Sequence, residues 1–318
     1  MRILSPIDNL SEVGALVEAG ADELYGGFVS PGWVKKYSLL GSANQRYFSS
    51  AQFATEDDLA SAVKAAHDLS ASFFLTLNAP CYTPAQYDDL LIEIRRYMGM
   101  GVDAFIVADV GLMLRVRDAL PGAALHLSAL SSVFNSATAE LLGGLGITRM
   151  VLPRELTLNE VTRLLKSNPN VLFDAFVMVG KCPNIEGFCT FTHNSPSLVW
   201  PCEERYDISV VKGGPEAVEI AGCQSLWSTV NRRQACGLCA IPALEKAGVY
   251  ALKLVGRGGP TKMKVRAIRA VKDAVKMASE RVDGDGYRAA CRSVYRDVYG
   301  SDCNIHICCY PELGALRG

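Results

Sequence analysis

Short apolar runs alternate along this chain with longer windows in which apolar residues recur every three to four positions. The short runs, rich in aliphatic and aromatic residues, read as buried strands. The longer windows read as amphipathic helices laid over them. The pattern predicts strands at 2–7, 23–25, 72–77, 104–107, 124–127, 149–152, 171–179 and 250–255. Helices are predicted at 9–19, from Thr55 onward, and at 83–97, 110–120, 136–145, 157–167, 241–247 and 261–280. Similar turns recur between helix and strand: Gly20-Ala21-Asp22, Gly101-Val102-Asp103, Gly146-Ile147-Thr148 and Gly248-Val249-Tyr250. Glycine there suits the left-handed position that ends a helix. Eight strand–helix pairs imply a parallel sheet, and eight that close on themselves imply an α/β protein built as a (β/α)8 barrel. An open doubly wound sheet is the alternative.

Two stretches break the alternation. The first, 26–54, is a long polar loop after the second strand. The second lies between the seventh and eighth strands and holds six of the chain's 11 cysteines: Cys182, Cys189, Cys202, Cys223, Cys236 and Cys239. Glycines and prolines scattered through it predict irregular backbone. In a barrel both stretches follow strands and so fall on the carboxyl face, where chemistry sits. The expected organisation is a barrel over 1–280 with a cysteine-rich insertion at 180–240, then a cysteine-rich, helical C-terminal tail at 281–318.

Thiolates converging from separate loops point to a soft metal centre. The gaps, six residues from Cys182 to Cys189, 12 on to Cys202 and 33 on to Cys236, are not the paired knuckles of a zinc ribbon. They suit a [4Fe–4S] cluster at least as well. Buried core thiols and a disulfide framework are the other readings.

Composition narrows the function. With 49% hydrophobic residues in 318, the chain can bury a large core, and a net charge of −1 does not describe an electrostatic nucleic-acid binder. No apolar run reaches the length of a membrane span, and no secretory signal is evident, so the many cysteines read as belonging to a reducing cytoplasm.

The segments ILSPIDNLSEVGALVEAGADELYGGF, SFFLTLNAP, FVMVGKCPNIEGFC and CGLCAIPALEKAGVYALKLVGR resemble the collagenase-like peptidase family U32 over about residues 2–275. Members of that family include proteins of oxygen-independent hydroxylation, acting on a quinone ring or on RNA bases. The resemblance therefore implies a [4Fe–4S] cluster held by Cys182, Cys189, Cys202 and Cys236, with Cys239 as the alternative fourth ligand. It implies a small aromatic, quinone-type or nucleobase substrate, and a related iron–sulfur partner protein or an electron donor. Two rivals stay open: a metal-dependent peptidase, and a non-catalytic iron–sulfur subunit. The family's KIEGR is KLVGR here, with Val255 in place of a carboxylate, and Cys202 lacks the usual second cysteine.

No H-E-x-x-H or G-x-S-x-G signature supports proteolysis. Polar candidates on the carboxyl face are Asp109 after strand four, His126 ending strand five, and Arg154-Glu155 after strand six. Arg154-Glu155 and Asp109 read equally well as loop-holding groups, and His126 as a core histidine. Arg46 and His193 are further candidates, for an anionic substrate and for a place beside the cluster. The basic residues of helix 261–280 read as a solvated face rather than an RNA surface. Cys291, Cys303, Cys308 and Cys309 lie outside the resemblance, and read as ligands of a second metal, a cap on the cluster, ligands of a partner's metal, or thiols buried in a C-terminal cap over the barrel.

Overall fold

The computed structural model describes residues 1–38, 43–46, 48–182, 184–189, 211–219, 234–280 and 284–313. Cys202, Cys223 and His193 lie outside them. The strands are β1 (Arg2–Pro6), β2 (Glu23–Gly26), β3 (Ser72–Leu77), β4 (Ala104–Val107), β5 (Leu125–Leu127), β6 (Arg149–Val151), β7 (Leu172–Val179), β8 (Ala235–Cys236) and β9 (Ala251–Leu254). Eight of them pair in parallel in the order β1 to β7 and then β9, which returns to β1 and closes the barrel. The exception is β8, which runs antiparallel to the end of β7, pairing Cys236 with Met178.

The helices are α1 (Val13–Ala19), α2 (Pro31–Tyr37), α3 (Glu56–Asp68), α4 (Pro84–Gly99), α5 (Val110–Ala119), α6 (Ser136–Gly144), α7 (Leu158–Ser167), α8 (Ile241–Ala247), α9 (Thr261–Ser279) and α10 (Gly284–Tyr299). All but α2 answer to predicted helices, α10 to the helical tail expected over 281–318. The unpredicted α2 lies inside the 26–54 loop, where Ser30 caps it by accepting from the Trp33 N–H and Pro31 opens it. The repeated turns work as read, with Gly20, Gly101, Gly146 and Gly248 at φ between +89° and +118°. The aspartates that follow two of them brace the preceding strand: Asp22 accepts from the Ile3 N–H at 2.8 Å, and Asp103 from the Phe73 N–H at 2.7 Å.

Most of the core lies between the strands and the helix ring, and a smaller cluster, Leu4, Tyr25, Phe74, Ala104 and Ile106, fills the barrel itself. Charges plug the barrel's amino end. Arg149 bonds both oxygens of Asp174 (2.9 and 3.0 Å) and reaches across the barrel to Glu23 (2.9 Å). Polarity at this end of a barrel belongs to stability rather than chemistry. On α9, Lys264 departs from the solvated basic face read from sequence: it is buried against Asp8 and Glu12. Helix α10 packs on α9. Among the described residues no helix is long and apolar enough to cross a membrane.

Removing one member of the plug leaves buried charges uncompensated, at a cost of about 3–5 kcal/mol. Arg149→Met is therefore expected to lower unfolding stability by that amount in urea titrations. A loss below about 1 kcal/mol would show that the plug is not a structural element.

Candidate metal centre at the barrel mouth

Two strand ends build the site. The chain leaves β6 as Pro153-Arg154-Glu155 and leaves β7 as Gly180-Lys181-Cys182, so these segments stand side by side on the carboxyl face. Glu186, in the turn after Cys182, joins them. Its carboxylate accepts from the Arg154 N–H at 3.0 Å and forms a buried ion pair with the Arg154 guanidinium. The Glu186 N–H donates to Glu155 Oε1 at 3.2 Å, and Ser132 in the β5 loop donates to the Glu186 carbonyl at 2.9 Å. Gly187 permits this approach: with φ at +86°, a Cβ there would stand 1.9 Å from Ser132 Oγ.

The turn presents two thiols to one residue. The Asn184 N–H donates to the Cys182 sulfur, and the Asn184 side-chain amide donates to Cys189 Sγ at 3.6 Å. Burial pushes the Cys182 thiol up to about 11 and Cys309 up to about 12, so both are protonated at neutral pH despite the positive charge of Arg154 near them. Such thiols are poor nucleophiles but become thiolates on a metal.

A cavity of about 400 Å³ opens here, with Arg154, Glu155, Thr157, Lys181, Cys182 and Cys309 in its wall. Arg154 lies flat on the Phe176 ring, 3.6 Å from its centre. Its Nε is buried and has no hydrogen-bond partner among the described residues. An orphaned donor beside two thiols fits an anionic, sulfur-rich group that would accept from it. Among the described residues, no three His, Cys, Asp or Glu side chains form a metal-holding set by themselves. A centre here therefore draws on a ligand beyond them, and Cys202 is the candidate that the resemblance supplies.

The other candidates divide. Arg154 and Glu155 combine both roles considered for them, holding the loop and lining the cavity. Asp109 is a helix cap, accepting from the Leu112 N–H at 2.6 Å and from the Tyr87 hydroxyl at 2.9 Å. His126 points into the barrel, edge-on to Phe74 at 4.6 Å, in register with Arg149. Cys236 on β8 is buried, away from the lining of the cavity. Cys239 turns its thiol to Cys291 on α10, in a hydrogen bond that helps bring it down to about 7. In the strand-two loop, the Arg46 carbonyl accepts from Arg257, which also bonds the Ala51 carbonyl (2.6 Å) and Thr76 (2.7 Å).

Sequence reasoning did not single out Glu186 or Asn184, and it noted Lys253 and Arg257 only as the ends of the KLVGR segment, without a role. Lys253 is 6% exposed, over the Tyr25 ring at 3.9 Å, and burial lowers its basicity. A charged residue amid the apolar ALKL was the available signal for it; Glu186 and Asn184 sit in a polar turn and carried none.

The model of peptidase family U32 matches residues 8–303. The chain belongs to peptidase family U32. It is 28% identical over 188 residues to tRNA hydroxylation protein P of Escherichia coli, a match covering 59% of this chain and 38% of that protein. The E. coli 23S rRNA 5-hydroxycytidine synthase is 26% identical over 268 residues, covering 81% of this chain and 36% of that protein. Tested against these relatives, the chain spans less than half of their length. Among solved structures, the U32 peptidase Mk0906 aligns with a TM-score of 0.53 at 14% identity, covering 82% of this chain and 94% of that one, and it supports the barrel fold alone. Both E. coli relatives are named for RNA hydroxylation, whereas the sequence reading held RNA possible but did not favour it.

Burial, then the positive charges of Arg149 and Lys253, hold His126 down to about 3. An unfolded imidazole protonates near 6.5, so below that pH the unfolded chain binds a proton that the folded chain does not. His126 therefore costs stability as pH falls from about 6.5 toward 3, by at most about 1.4 kcal/mol per unit. Urea titrations at pH 7 and pH 5 are expected to show a smaller acid-induced loss for His126→Gln than for the wild type. Equal losses would place the imidazole in a protonatable setting.

Proposed function

We propose that this U32 chain is a [4Fe–4S] protein acting in the oxygen-independent hydroxylation of an RNA nucleobase. Cys182, Cys189 and Cys202 would hold the cluster at the barrel mouth, with a fourth thiolate from the C-terminal third of the chain. The observation that carries this reading is the fixed Cys182–Cys189 turn. Arg154, Glu155 and Ser132 grip it, Asn184 serves both thiols, and Arg154 keeps a buried N–H for one more acceptor. N–H donors to cluster sulfurs tune potential and hold ligand orientation.

When bound, a cluster supplies electron transfer and, with an open iron position, Lewis acidity. The chain's own residues supply the rest. Arg154 and Lys181 place positive charge beside the thiols, Phe176 and the barrel's apolar filling limit water beneath the site, and His126 stays neutral below it. Relatives named for tRNA and rRNA hydroxylation favour a nucleobase over a free quinone ring. A peptidase would need an activated water or nucleophile, and the thiols lining the cavity are held protonated by burial.

Anaerobically purified protein is expected to carry about four irons and four acid-labile sulfides per chain. Deleting the gene is expected to remove a hydroxylated nucleoside from total tRNA or rRNA digests, measured by mass spectrometry. Wild type should restore it and Cys182→Ser should not. Zinc in place of iron would contradict the cluster, and unchanged RNA nucleosides would contradict the RNA substrate.

A further inference from the structure

We propose that Phe188, at the exposed end of the Cys182–Cys189 turn, is a stacking platform for an unpaired RNA base, seated on Phe134 beside the barrel mouth. The inference rests on the RNA reading above and assigns a contact for the strand that carries the target base.

The backbone fixes this ring in place. The Phe188 N–H donates to the Ile185 carbonyl at 3.0 Å and closes the turn. Immediately before it, Gly187 lies against the loop after β5, where a Cβ would meet the Leu130 carbonyl at 2.6 Å. Ser132 of that loop holds both aromatic residues. Its hydroxyl donates to the Glu186 carbonyl at 2.9 Å, and its own carbonyl accepts from the Phe134 N–H at 2.9 Å. The two rings stack with centres 6.4 Å apart and planes 28° apart. Phe134 is the inner ring, packed against the main core, and Phe188 is the outer one, 65% exposed.

Scattered aliphatic side chains on a surface are ordinary. Phe188 differs, because among the described residues it is the one aromatic ring in the exposed large hydrophobic set. A ring whose backbone is already gripped takes a third ring with little further ordering, and every nucleobase has a face to offer it. Single-stranded RNA is recognised in this way, by unstacked bases laid on aromatic side chains. The chain's charge argues in the same direction. At a net charge of −1 the protein as a whole does not draw RNA through its phosphates, so base stacking must carry a larger share of the affinity. Position supplies the link to the site. Ile185, which shares the turn, lines the cavity with Arg154, Lys181 and Cys182, so a base stacked on Phe188 leaves its neighbour in the strand close to the cavity.

The test titrates the full chain, purified anaerobically, with a fluorescein-labelled single-stranded RNA of about 12 nucleotides and with the same RNA as a duplex, followed by anisotropy. Phe188→Ala is expected to weaken single-strand binding by roughly 5- to 150-fold, Phe188→Leu to weaken it nearly as much, and Phe188→Trp to keep it. Duplex binding is expected to be the same in all four proteins, since paired bases offer no free face. In Phe188→Trp the added indole emission is expected to fall as the single strand binds. Iron content and the urea midpoint of Phe188→Ala are expected to match the wild type. Equal single-strand affinity of Phe188→Ala and the wild type overturns the assignment and leaves the RNA reading standing. Full binding by Phe188→Leu overturns it too, because an apolar contact without stacking would then suffice, as does an equal loss of duplex binding. Loss of iron together with binding in Phe188→Ala makes the ring a support of the cysteine turn and also overturns the stacking role. A wild-type chain that binds neither RNA overturns both the assignment and the RNA reading.

Discussion

The carboxyl face of this barrel hangs on the buried pair between Arg154 and Glu186. It joins the end of β6 to the turn after β7, and removing either member would strand a charge in a site that is about nine-tenths buried. Because the Glu186 main chain is also held by Glu155 and Ser132, three successive strand ends meet on one residue. The thiols of Cys182 and Cys189 take their positions from that junction. Arg154 is left with its guanidinium face on the Phe176 ring, one edge on Glu186 and one N–H with no described partner. A guanidinium so placed is a fixed donor, and a fixed donor favours an anionic acceptor without reorganising.

The barrel beneath holds ion-paired charges together with a neutral imidazole. At the amino end Arg149, Asp174 and Glu23 satisfy one another and close the barrel. Beside them, Lys253 lies over the Tyr25 ring and His126 is edge-on to Phe74 and neutral. The ion-paired charges serve stability, and the neutral imidazole leaves the barrel interior low in polarity. The same pairing appears outside the barrel, where Asp8 and Glu12 take up Lys264 and so tie the β1 loop to α9.

Much of this was legible in the sequence. The eight barrel strands stand as apolar runs because both faces of a parallel sheet are covered, and the glycines between helix and strand mark left-handed positions that few other residues adopt. What escaped was set by distant contacts. Lys264 sits in a basic run that reads as solvated, yet its partners arrive from residues 8 and 12. Helix α2 was hidden in a polar loop although Ser30-Pro31 is a start signal. Glu186 has no local pattern to announce it, and the tail's pairing with Cys236 joins residues some 70 positions apart in the chain. The cysteines drew attention to the carboxyl face, where Cys182 and Cys309 line the cavity.

Anomalous diffraction at the iron absorption edge, from crystals grown without oxygen, tests the central claim most directly. The account predicts a compact group of iron peaks in the cavity walled by Arg154, Cys182 and Cys309. Crystals of the anaerobic protein with no iron there, or with iron bound away from that cavity, would contradict it.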